Sequence, residues 1–296
     1  MKLSVFVVTY NQEKYIRQCL DSILMQKVDF DYEVVIGEDH GTDGTRAICE
    51  EYAAKYPQIR LLPLIENLGI TKNWQRVLSE CKGDYIAMCE GDDYWTDSNK
   101  LQIQMSFLEH NKEYPLCFHK VTVKTDSLSD KHIFEHLEER AYTDREIYNK
   151  WTILTSSVMF RNDRQVYEFP SIIKFADTYL FLLILNKRKA FCLNINATTY
   201  RRTEQSQSAV LTPSLSKSLF YQYKYMVSQF PHLKDISIRL RNKYLNILLD
   251  DKNDRDTLKF RLYKMWYEPQ LLFSKFGGAT ILKYIPLWIR SMLKFK

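Results

Sequence analysis

Glycine and proline are scarce in this chain, with eight of each among 296 residues. Disordered and low-complexity chains are usually rich in both, so the composition excludes those classes. Hydrophobic residues make up 45% of the chain and charged residues 26%, which is typical of a protein with a buried core. The length suits one large domain or a domain with an appendage. The net charge of +6 is mild, and we expect no nucleic acid partner.

Paired cysteines and long apolar runs are also absent. The six cysteines include no C-x-x-C pair, which indicates reduced core residues and excludes a disulfide framework or a zinc site of that kind. No uninterrupted apolar run approaches the roughly 20 residues that a membrane crossing requires. The first residues enter an apolar strand directly, without the pattern of a signal peptide. Together these absences predict a cytoplasmic protein.

The first hundred residues alternate apolar strands with single helices. Strands are predicted at 3–8, 33–36, 59–64 and 85–88. We expect Asn11 to be the N-cap of the first helix, and Pro57 to end the second. This alternation predicts an α/β fold with a parallel sheet and right-handed crossovers. In such sheets ligands bind beyond the carboxyl ends of the strands.

The pattern changes after about residue 100. Leu101, Met105 and Leu108 predict a helix, and the charged stretch 126–150 predicts loop and short helix. From Ser214 onward helical periodicity dominates. Further strands are predicted at 116–123, 155–160 and 190–193.

These patterns predict two domains. The first, 1–210, divides at about residue 100 into a half of regular strand-helix alternation, 1–100, and a less regular half, 101–210. The second, 211–296, is a helical C-terminal region with a basic amphipathic tail.

Asp92 and Asp93 follow the fourth predicted strand. Adjacent carboxylates at the end of a buried strand repel each other and are costly to desolvate, so such a pair usually holds a cation. Hard oxygen ligands suit Mg²⁺ or Mn²⁺, which often bridge to the phosphates of a nucleotide. An isolated Asp-Asp pair is also common in a polar turn before a helix, and the neighbouring motifs favour the metal.

Four motifs occur in order at the predicted strand ends: Val7-Val8-Thr9-Tyr10-Asn11, Glu38-Asp39-His40-Gly41-Thr42-Asp43-Gly44, Asn67-Leu68-Gly69 and Gly91-Asp92-Asp93-Tyr94-Trp95. In these motifs the chain resembles the family 2 glycosyltransferases, which are inverting, metal-dependent enzymes that use nucleotide-diphosphate sugars. The resemblance covers roughly the first two hundred residues. It implies the GT-A fold, a Rossmann-like, mostly parallel twisted sheet flanked by helices, here with a C-terminal helical appendage. It also implies that 1–210 is the catalytic domain, with 1–100 as its nucleotide-binding half and 101–210 as its acceptor-side half.

The resemblance implies a nucleotide-binding set. Val8 through its backbone, Tyr10 through its ring and Asn11 would lie at the nucleobase pocket. Asp39 would accept hydrogen bonds from the base, commonly uracil, and Lys72 would lie over the nucleotide. Three alternatives stay open, since Tyr10 could simply pack, Asp39 could cap the following helix and Lys72 could be solvated.

The resemblance also assigns the two adjacent carboxylates. Asp92 would touch the ribose or the donor sugar, and Asp93 would bind the Mn²⁺ or Mg²⁺ that bridges both phosphates. The cation would neutralise charge on the departing nucleoside diphosphate.

Inversion requires a base that removes the proton of the acceptor hydroxyl. The resemblance implies an Asp or Glu at a helix start after the metal pair, and Asp177 is the best match. Its alternative role is an interaction with the helix dipole. Asp163, directly after the strand predicted at 155–160, is the next candidate for the base.

The sequence departs from the family pattern in two places. Glu38 stands where many members have a first Asp, a change that should be tolerated. Thr203 stands where many members have a histidine that helps to hold the diphosphate or metal. Arg201 or Arg202 could replace it as a phosphate contact, or both could be surface residues.

The C-terminal segment 271–296 is basic, strongly apolar and without acidic residues. Such a segment can lie on an anionic inner leaflet, which would make the protein peripheral on the inner membrane face and suit a polyprenyl-linked acceptor. The alternative is a terminal helix docked on the catalytic domain or on the second subunit of a homodimer.

The predicted function is transfer of a sugar from a nucleotide-diphosphate donor, a UDP-sugar by preference, to a hydroxyl of a glycan or lipid-linked acceptor in cell-surface polysaccharide biosynthesis. A sugar nucleotidyltransferase is an alternative, but it would need a Gly-rich loop after the first strand. A dehydrogenase is excluded by the lack of G-x-G-x-x-G. A catalytically silent glycan-binding or scaffold protein is the alternative from another class, which the intact carboxylates disfavour.

Overall fold

The computed structural model describes residues 1–125, 134, 137–163, 167–202 and 212–250. The chain divides into two compact units, Met1–Val210 and Leu211–Lys296. The strands of the first unit are β1 Leu3–Thr9, β2 Tyr32–Glu38, β3 Ile59–Leu61, β4 Tyr85–Glu90, β5 Tyr94–Trp95, β6 Leu116–Thr125, β7 Arg140–Thr143, β8 Met159–Arg161 and β9 Lys189–Arg202. Its helices are α1 Ile16–Leu24, α2 Thr45–Lys55, α3 Ile70–Glu80, α4 Lys100–His110, α5 Asp144–Lys150 and α6 Ala176–Leu185.

The described strands form one mixed sheet in the order β3-β2-β1-β4-β8-β6-β9-β5, with β7 paired to β9. Strands β3, β2, β1 and β4 are parallel. Strand β8 is antiparallel to both β4 and β6, β6 is parallel to β9, and β5 and β7 are antiparallel to β9. The predicted α/β fold with a parallel first half is therefore confirmed, whereas the second half of the sheet is mixed.

Strand β1 is central and buried along its whole length. Leu3, Val5 and Val7 contribute to a core cluster that includes residues of α1 and α2. On the other face, the ring of Phe6 packs edge to face on the ring of Trp74, a residue of α3. The two ring centroids are 5.0 Å apart. Burial on both faces explains why this strand reads as a continuous apolar run. All six cysteines are likewise buried and unpaired, as expected.

Two predicted features differ from the structure. Helix α1 begins only at Ile16 after Tyr15, so Asn11 is not its N-cap; Asn11 instead has a positive φ of 51°. The strand predicted at 155–160 is a 3₁₀ turn at Thr155–Ser157 followed by the short β8. The Ser157 hydroxyl donates to the Leu154 carbonyl at 2.7 Å, a local bond that competes with the strand.

Two strand lengths also differ from the predictions. Strand β3 ends at Leu61, short of residue 64, because Pro63 has no N–H for a ladder. Strand β9 extends from Lys189 to Arg202, well beyond the predicted 190–193, and pairs with β6, β7 and β5. Beyond Leu193 polar residues are mixed with apolar ones, which concealed the rest of the strand in a search for apolar runs.

The second unit is described over two helices, α7 Pro213–Gln229 and α8 Lys234–Asp250. Phe220, Leu245 and Leu248 form the buried cluster between them. These helices confirm the helical appendage. No helix among the described residues combines the length and apolar character that a membrane crossing requires. The predicted amphipathic tail, 271–296, lies outside the described residues.

Lys100 is a fully buried lysine at the start of α4. Its Nζ donates to Oε1 of Gln104 at 2.7 Å and lies 4.1 Å from the ring centroid of Trp95. Burial lowers the pKa of Lys100 to about 7. Between this pKa and the unfolded value of 10.5, the unfolded chain binds the extra proton, so stability rises with pH.

Replacement of Lys100 by methionine should remove this pH dependence. Between pH 7 and 10 the free energy of unfolding of the parent should rise relative to that of Lys100→Met by up to about 4 kcal/mol. Urea unfolding at several pH values measures the difference, with Lys112→Met as the exposed control. Parallel stability curves for parent and Lys100→Met would contradict the expected deprotonation.

Candidate active site at the carboxyl edge of the sheet

The carboxyl ends of β1, β2 and β4 meet at one edge of the parallel half-sheet, and a cavity of about 520 Å³ opens there. Five residues of the predicted site line it, namely Val8, Tyr10, Asp39, Asp92 and Asp177. We call it the carboxylate cavity. Its volume is within the range of small-molecule sites.

Asp39 lies directly after β2 and is 5% exposed. Its Oδ1 accepts a hydrogen bond from the Leu68 N–H at 2.8 Å, and its carbonyl accepts one from Nδ2 of Asn67 at 2.7 Å. Asp39 therefore holds the Asn67-Leu68-Gly69 turn beside the cavity. Asp39 does not cap α2, whose N-cap is Gly44. No donor among the described residues reaches its second oxygen, which leaves an acceptor for a ligand.

The end of β1 supplies the residues expected at the nucleobase. Tyr10 is 48% exposed at the cavity, as a ring available for stacking would be. The carbonyl of Val8 accepts from the Gly91 N–H at 2.9 Å and so fixes the Asp92-Asp93 turn to β1. Asn11 is not among the lining residues. Its Oδ1 accepts from the Thr42 N–H at 2.7 Å, so it holds the loop after β2.

Glycine is required where the Asp92-Asp93 turn approaches β1. A Cβ on Gly91 would lie 2.7 Å from the side chain of Thr9, closer than side chains can pack. The backbone of the turn therefore reaches β1 only because residue 91 has no side chain. This close approach positions the carboxylates at the strand end.

Asp92 and Asp93 lie in different surroundings. Asp92 lines the carboxylate cavity, whereas Asp93 is 1% exposed and is not among the lining residues. Oδ1 of Asp93 accepts from the Arg201 N–H at 3.0 Å, and its buried Oδ2 has no hydrogen-bond partner among the described residues. An orphaned buried carboxylate oxygen is costly and suits a cation.

Negative charge is concentrated around this turn. Burial raises the pKa of Glu90, Asp92 and Asp93. The charge of Asp92 raises the pKa of both Glu90 and Asp93 further, and Asp93 and Asp177 add to the effect on Glu90. The donor set and its mutual repulsion fit a hard divalent cation. Within the described ranges no cluster of three or more His, Cys, Asp or Glu side chains is arranged to hold a metal alone, so ligand oxygens would have to complete the coordination.

Arg201 stabilises the turn from β9. Its guanidinium donates to the Asp92 carbonyl and to Oε1 of Gln18, and lies 4.4 Å from the ring centroid of Tyr94. This guanidinium is thus engaged in the protein, and its role as a phosphate contact stays a prediction, as does that of Arg202. Thr203, at the position of the missing histidine, lies outside the described residues.

Asp177 lies in the first turn of α6. Its Oδ2 accepts from Nε1 of Trp151 at 3.3 Å, and its buried Oδ1 has no hydrogen-bond partner among the described residues. Burial raises the pKa of Asp177, which makes its carboxylate a better proton acceptor. Asp163 is exposed, accepts from the Tyr167 hydroxyl at 3.1 Å and does not line the cavity.

Lys72 lies apart from this group. It lines a second groove beside α3, which we call the α3 groove and which is formed by Lys72, Gln75, Arg76 and Ser79 of α3 with Tyr167, Phe169, Ser171 and Lys174 opposite. Its expected role over the nucleotide stays a prediction.

Several lining residues were not predicted from the sequence: Glu90, Trp151, Thr155, Lys174 and Tyr200. Glu90 could have been predicted from the sequence, because it ends β4 only two residues before Asp92. Trp151 could not have been predicted, since only the tertiary structure brings it to Asp177, which lies 26 residues later in the chain.

Comparison with known proteins gives a family match over much of the chain. The model of the family described as Glycosyl transferase family 2 matches residues 4–166, more than half of the chain. An uncharacterized protein of Mycobacterium tuberculosis is 38% identical over 181 residues, which are 60% of this chain and 52% of that protein. The chain thus spans about half the length of this curated relative.

Two solved structures are similar in fold. Staphylococcus aureus TarS, residues 1–349 in complex with UDP-GlcNAc, gives a TM-score of 0.61 at 22% identity and covers 90% of this chain and 78% of that one. A mannosyltransferase of Pyrobaculum calidifontis in complex with GDP-Man and Mn²⁺ gives a TM-score of 0.53 at 15% identity and covers 92% and 82%. At these identities the likeness concerns the fold alone, and it confirms the expected GT-A architecture.

Proposed function

Since the chain belongs to glycosyl transferase family 2, we propose that it transfers a sugar from a nucleoside-diphosphate donor to a hydroxyl group of a glycan acceptor. One observation carries the proposal: an exposed aromatic ring, Tyr10, and three carboxylates, Asp39, Asp92 and Asp177, line a single cavity at the carboxyl edge of the sheet. Each of the four has a distinct task in this reaction.

The nucleobase binds at the ends of β1 and β2. Tyr10 stacks on the base, and Asp39 accepts a hydrogen bond from it through the carboxylate oxygen that Leu68 does not use. We propose uracil as the base, and the TarS complex with UDP-GlcNAc supports a UDP-sugar in this fold. Buried hydrogen bonds to a base edge provide specificity, because the wrong base would leave them unpaired.

The diphosphate lies at the Asp92-Asp93 turn. Asp93, whose Oδ2 is buried without a partner among the described residues, would hold Mn²⁺ or Mg²⁺, and Asp92 would contact the ribose or the donor sugar from the cavity wall. When bound, the cation neutralises charge on the leaving nucleoside diphosphate. The Mn²⁺ in the mannosyltransferase structure supports a divalent ion in this fold. Arg201 keeps the turn in place by bonding to the backbone of Asp92 and the side chain of Asp93.

Asp177 is the general base. Its carboxylate takes the proton of the acceptor hydroxyl as that oxygen attacks the anomeric carbon, and the nucleoside diphosphate leaves from the opposite face. A single displacement of this kind inverts the anomeric configuration. The Trp151 N–H fixes Oδ2 of Asp177, which leaves Oδ1 for the proton.

The acceptor is a cell-surface glycan or its polyprenyl-linked precursor. TarS is named as a poly(ribitol-phosphate) β-N-acetylglucosaminyltransferase, which supports a cell-surface polymer as the acceptor class. We propose that the protein works in the cytoplasm or on the inner membrane face, since the basic and apolar sequence 271–296 suits an anionic lipid surface.

A thermal-shift screen tests the donor class directly. Ligands that bind the folded state raise the melting temperature by mass action. UDP and UDP-sugars should raise it more with Mn²⁺ than with EDTA, and more than GDP or ADP do. Equal shifts for all nucleotides, or none, would contradict the proposed donor.

Replacement of Asp39 by alanine should weaken UDP binding by about ten-fold, the usual effect of losing a charged hydrogen-bond acceptor. Calorimetry measures the affinity, and circular dichroism checks that the fold is retained. Asp29→Ala, which removes an exposed carboxylate elsewhere, should bind UDP like the parent. Parental affinity in Asp39→Ala would mean that Asp39 only holds the Leu68 turn.

A further inference from the structure

The α3 groove is the larger cavity, at about 1030 Å³. Lys72, Gln75, Arg76 and Ser79 recur at the spacing of one helix face, so a single side of α3 forms one wall. The groove follows α3 from Gly69 to Lys82. With 11 residues the helix spans about 16 Å, so the groove is long enough for several units of an extended polymer.

The opposite wall is attached to α3 at two points. The Thr71 hydroxyl donates to the Ile173 carbonyl at 3.0 Å, and the Phe169 N–H donates to Oε1 of Gln75 at 3.2 Å. Tyr167 and Phe169 are each 7% exposed and add aromatic surface to this wall. Two hydrogen bonds and aromatic side chains therefore join the opposite wall of the groove to α3.

The charge of the α3 groove has one sign. Its lining includes the cations Lys72, Arg76, Lys82 and Lys174, and none of its lining residues is Asp or Glu. Arg76 donates through Nη2 to the Pro63 carbonyl, while its Nη1 is buried without a hydrogen-bond partner among the described residues. A buried guanidinium N–H that has no acceptor is costly, which points to an anionic ligand.

The α3 groove joins the carboxylate cavity. Gly69, Ile70 and Lys174 line both. Gly69 belongs to the turn that Asp39 holds, and Lys174 precedes Asp177 by only three residues, so the shared lining includes residues near both carboxylates. A polymer in the groove could therefore present its end to the reacting centre while the donor occupies the cavity.

We propose that the α3 groove binds the phosphodiester backbone of an anionic acceptor glycan, whose terminal hydroxyl then lies at Asp177. This inference rests on the proposed function and specifies its acceptor class. Repeated phosphates can pair with several groove cations at once, whereas a neutral glycan pairs with none. The donor diphosphate is a poor occupant, because neither Asp92 nor Asp93 lines the groove.

Binding of a fluorescently labelled 1,3-linked glycerol phosphate hexamer tests this inference. In Arg76→Gln/Lys82→Gln its Kd should rise at least about ten-fold, because two charge-assisted contacts are lost. The control Lys27→Gln/Lys112→Gln removes the same charge from exposed sites elsewhere and should change the Kd less than about two-fold. Lys82→Gln alone, at an exposed position, should give a smaller rise in the same direction without risk to the fold.

Three further measurements separate the alternatives. UDP with Mn²⁺ should bind all variants equally and together with the hexamer; displacement of UDP would put the polyanion in the carboxylate cavity and overturn the proposal. An equal loss of hexamer affinity in the control pair would mean that only the overall charge matters, and it would also overturn the proposal.

Oligogalacturonate and maltohexaose should bind more weakly than the hexamer. Groove-dependent binding of either one at equal strength would overturn the phosphodiester class. Failure of UDP to bind the parent would instead refute the proposed function. The affinity for the hexamer could still be measured in that case, so the two failures are distinguishable.

Discussion

Replacement of Asp177 by asparagine is expected to lower the turnover of sugar transfer by about two to four orders of magnitude, the usual contribution of a positioned base. Asparagine keeps the size of the side chain and an oxygen for the Trp151 N–H, but it cannot take a proton at neutral pH. Donor affinity and its response to Mn²⁺ should stay near the parent values. Release of UDP in the presence of acceptor measures turnover, and calorimetry measures binding.

The pH profile adds a second readout for the same residue. Because burial raises the pKa of Asp177, the parent rate should fall as the pH is lowered through that raised pKa, and the residual rate of Asp177→Asn should lack this fall. Asp163→Asn is the matched control and should transfer like the parent. Near-normal turnover in Asp177→Asn, with loss in Asp163→Asn, would move the base to Asp163.

Inversion follows from the same mechanism. A single base and a direct displacement require that the transferred sugar has the opposite anomeric configuration from the donor. Proton NMR of the product distinguishes the two anomers. A product with retained configuration would contradict both the base and the single displacement.

Replacement of Asp93 by alanine should abolish the dependence of UDP binding on a divalent ion. The parent should bind UDP more tightly with Mn²⁺ or Mg²⁺ than with EDTA, by about 10- to 100-fold, since Asp93 would hold the cation that neutralises the diphosphate. In Asp93→Ala the affinities with metal and with EDTA should be equal. Calorimetry under both conditions measures the ratio.

Two controls locate the metal within the turn. Asp92→Ala should weaken UDP-sugar binding while keeping the ratio between metal and EDTA, because Asp92 contacts the sugar side from the cavity wall. Asp84→Ala removes an exposed carboxylate at the other end of β4 and should leave both affinities unchanged. Loss of the ratio in Asp92→Ala with its retention in Asp93→Ala would assign the ion to Asp92.

The sequence was sufficient for the parallel half of the sheet. Its strands are buried on both faces, so each appears as a short apolar run, and a single helix between runs fixes the parallel order. Because parallel strands end at a common edge, the polar residues after β1, β2 and β4 could be expected to converge. Tyr10, Asp39 and Asp92 do line one cavity.

Local patterns failed where a side chain acts over a distance. Asn11 has the residue type of an N-cap, yet its Oδ1 binds the Thr42 N–H, 31 residues away. Lys72 follows a family motif, yet the face of α3 on which it lies belongs to the α3 groove. In both cases the residue type indicated a role, but it did not identify the partner. Partners are set by how the helices and loops pack.

The sequence by itself determined the fold class, the family and the edge of the sheet at which the site lies, because burial, helix periodicity and strand ends are encoded within short segments. Only the tertiary structure decided the mixed half of the sheet, the pairing of Trp151 with Asp177 and the orientation of Asp93 toward Arg201. These features depend on contacts between segments far apart in the chain. Such contacts form only when the whole core packs, and no local pattern of residues specifies them.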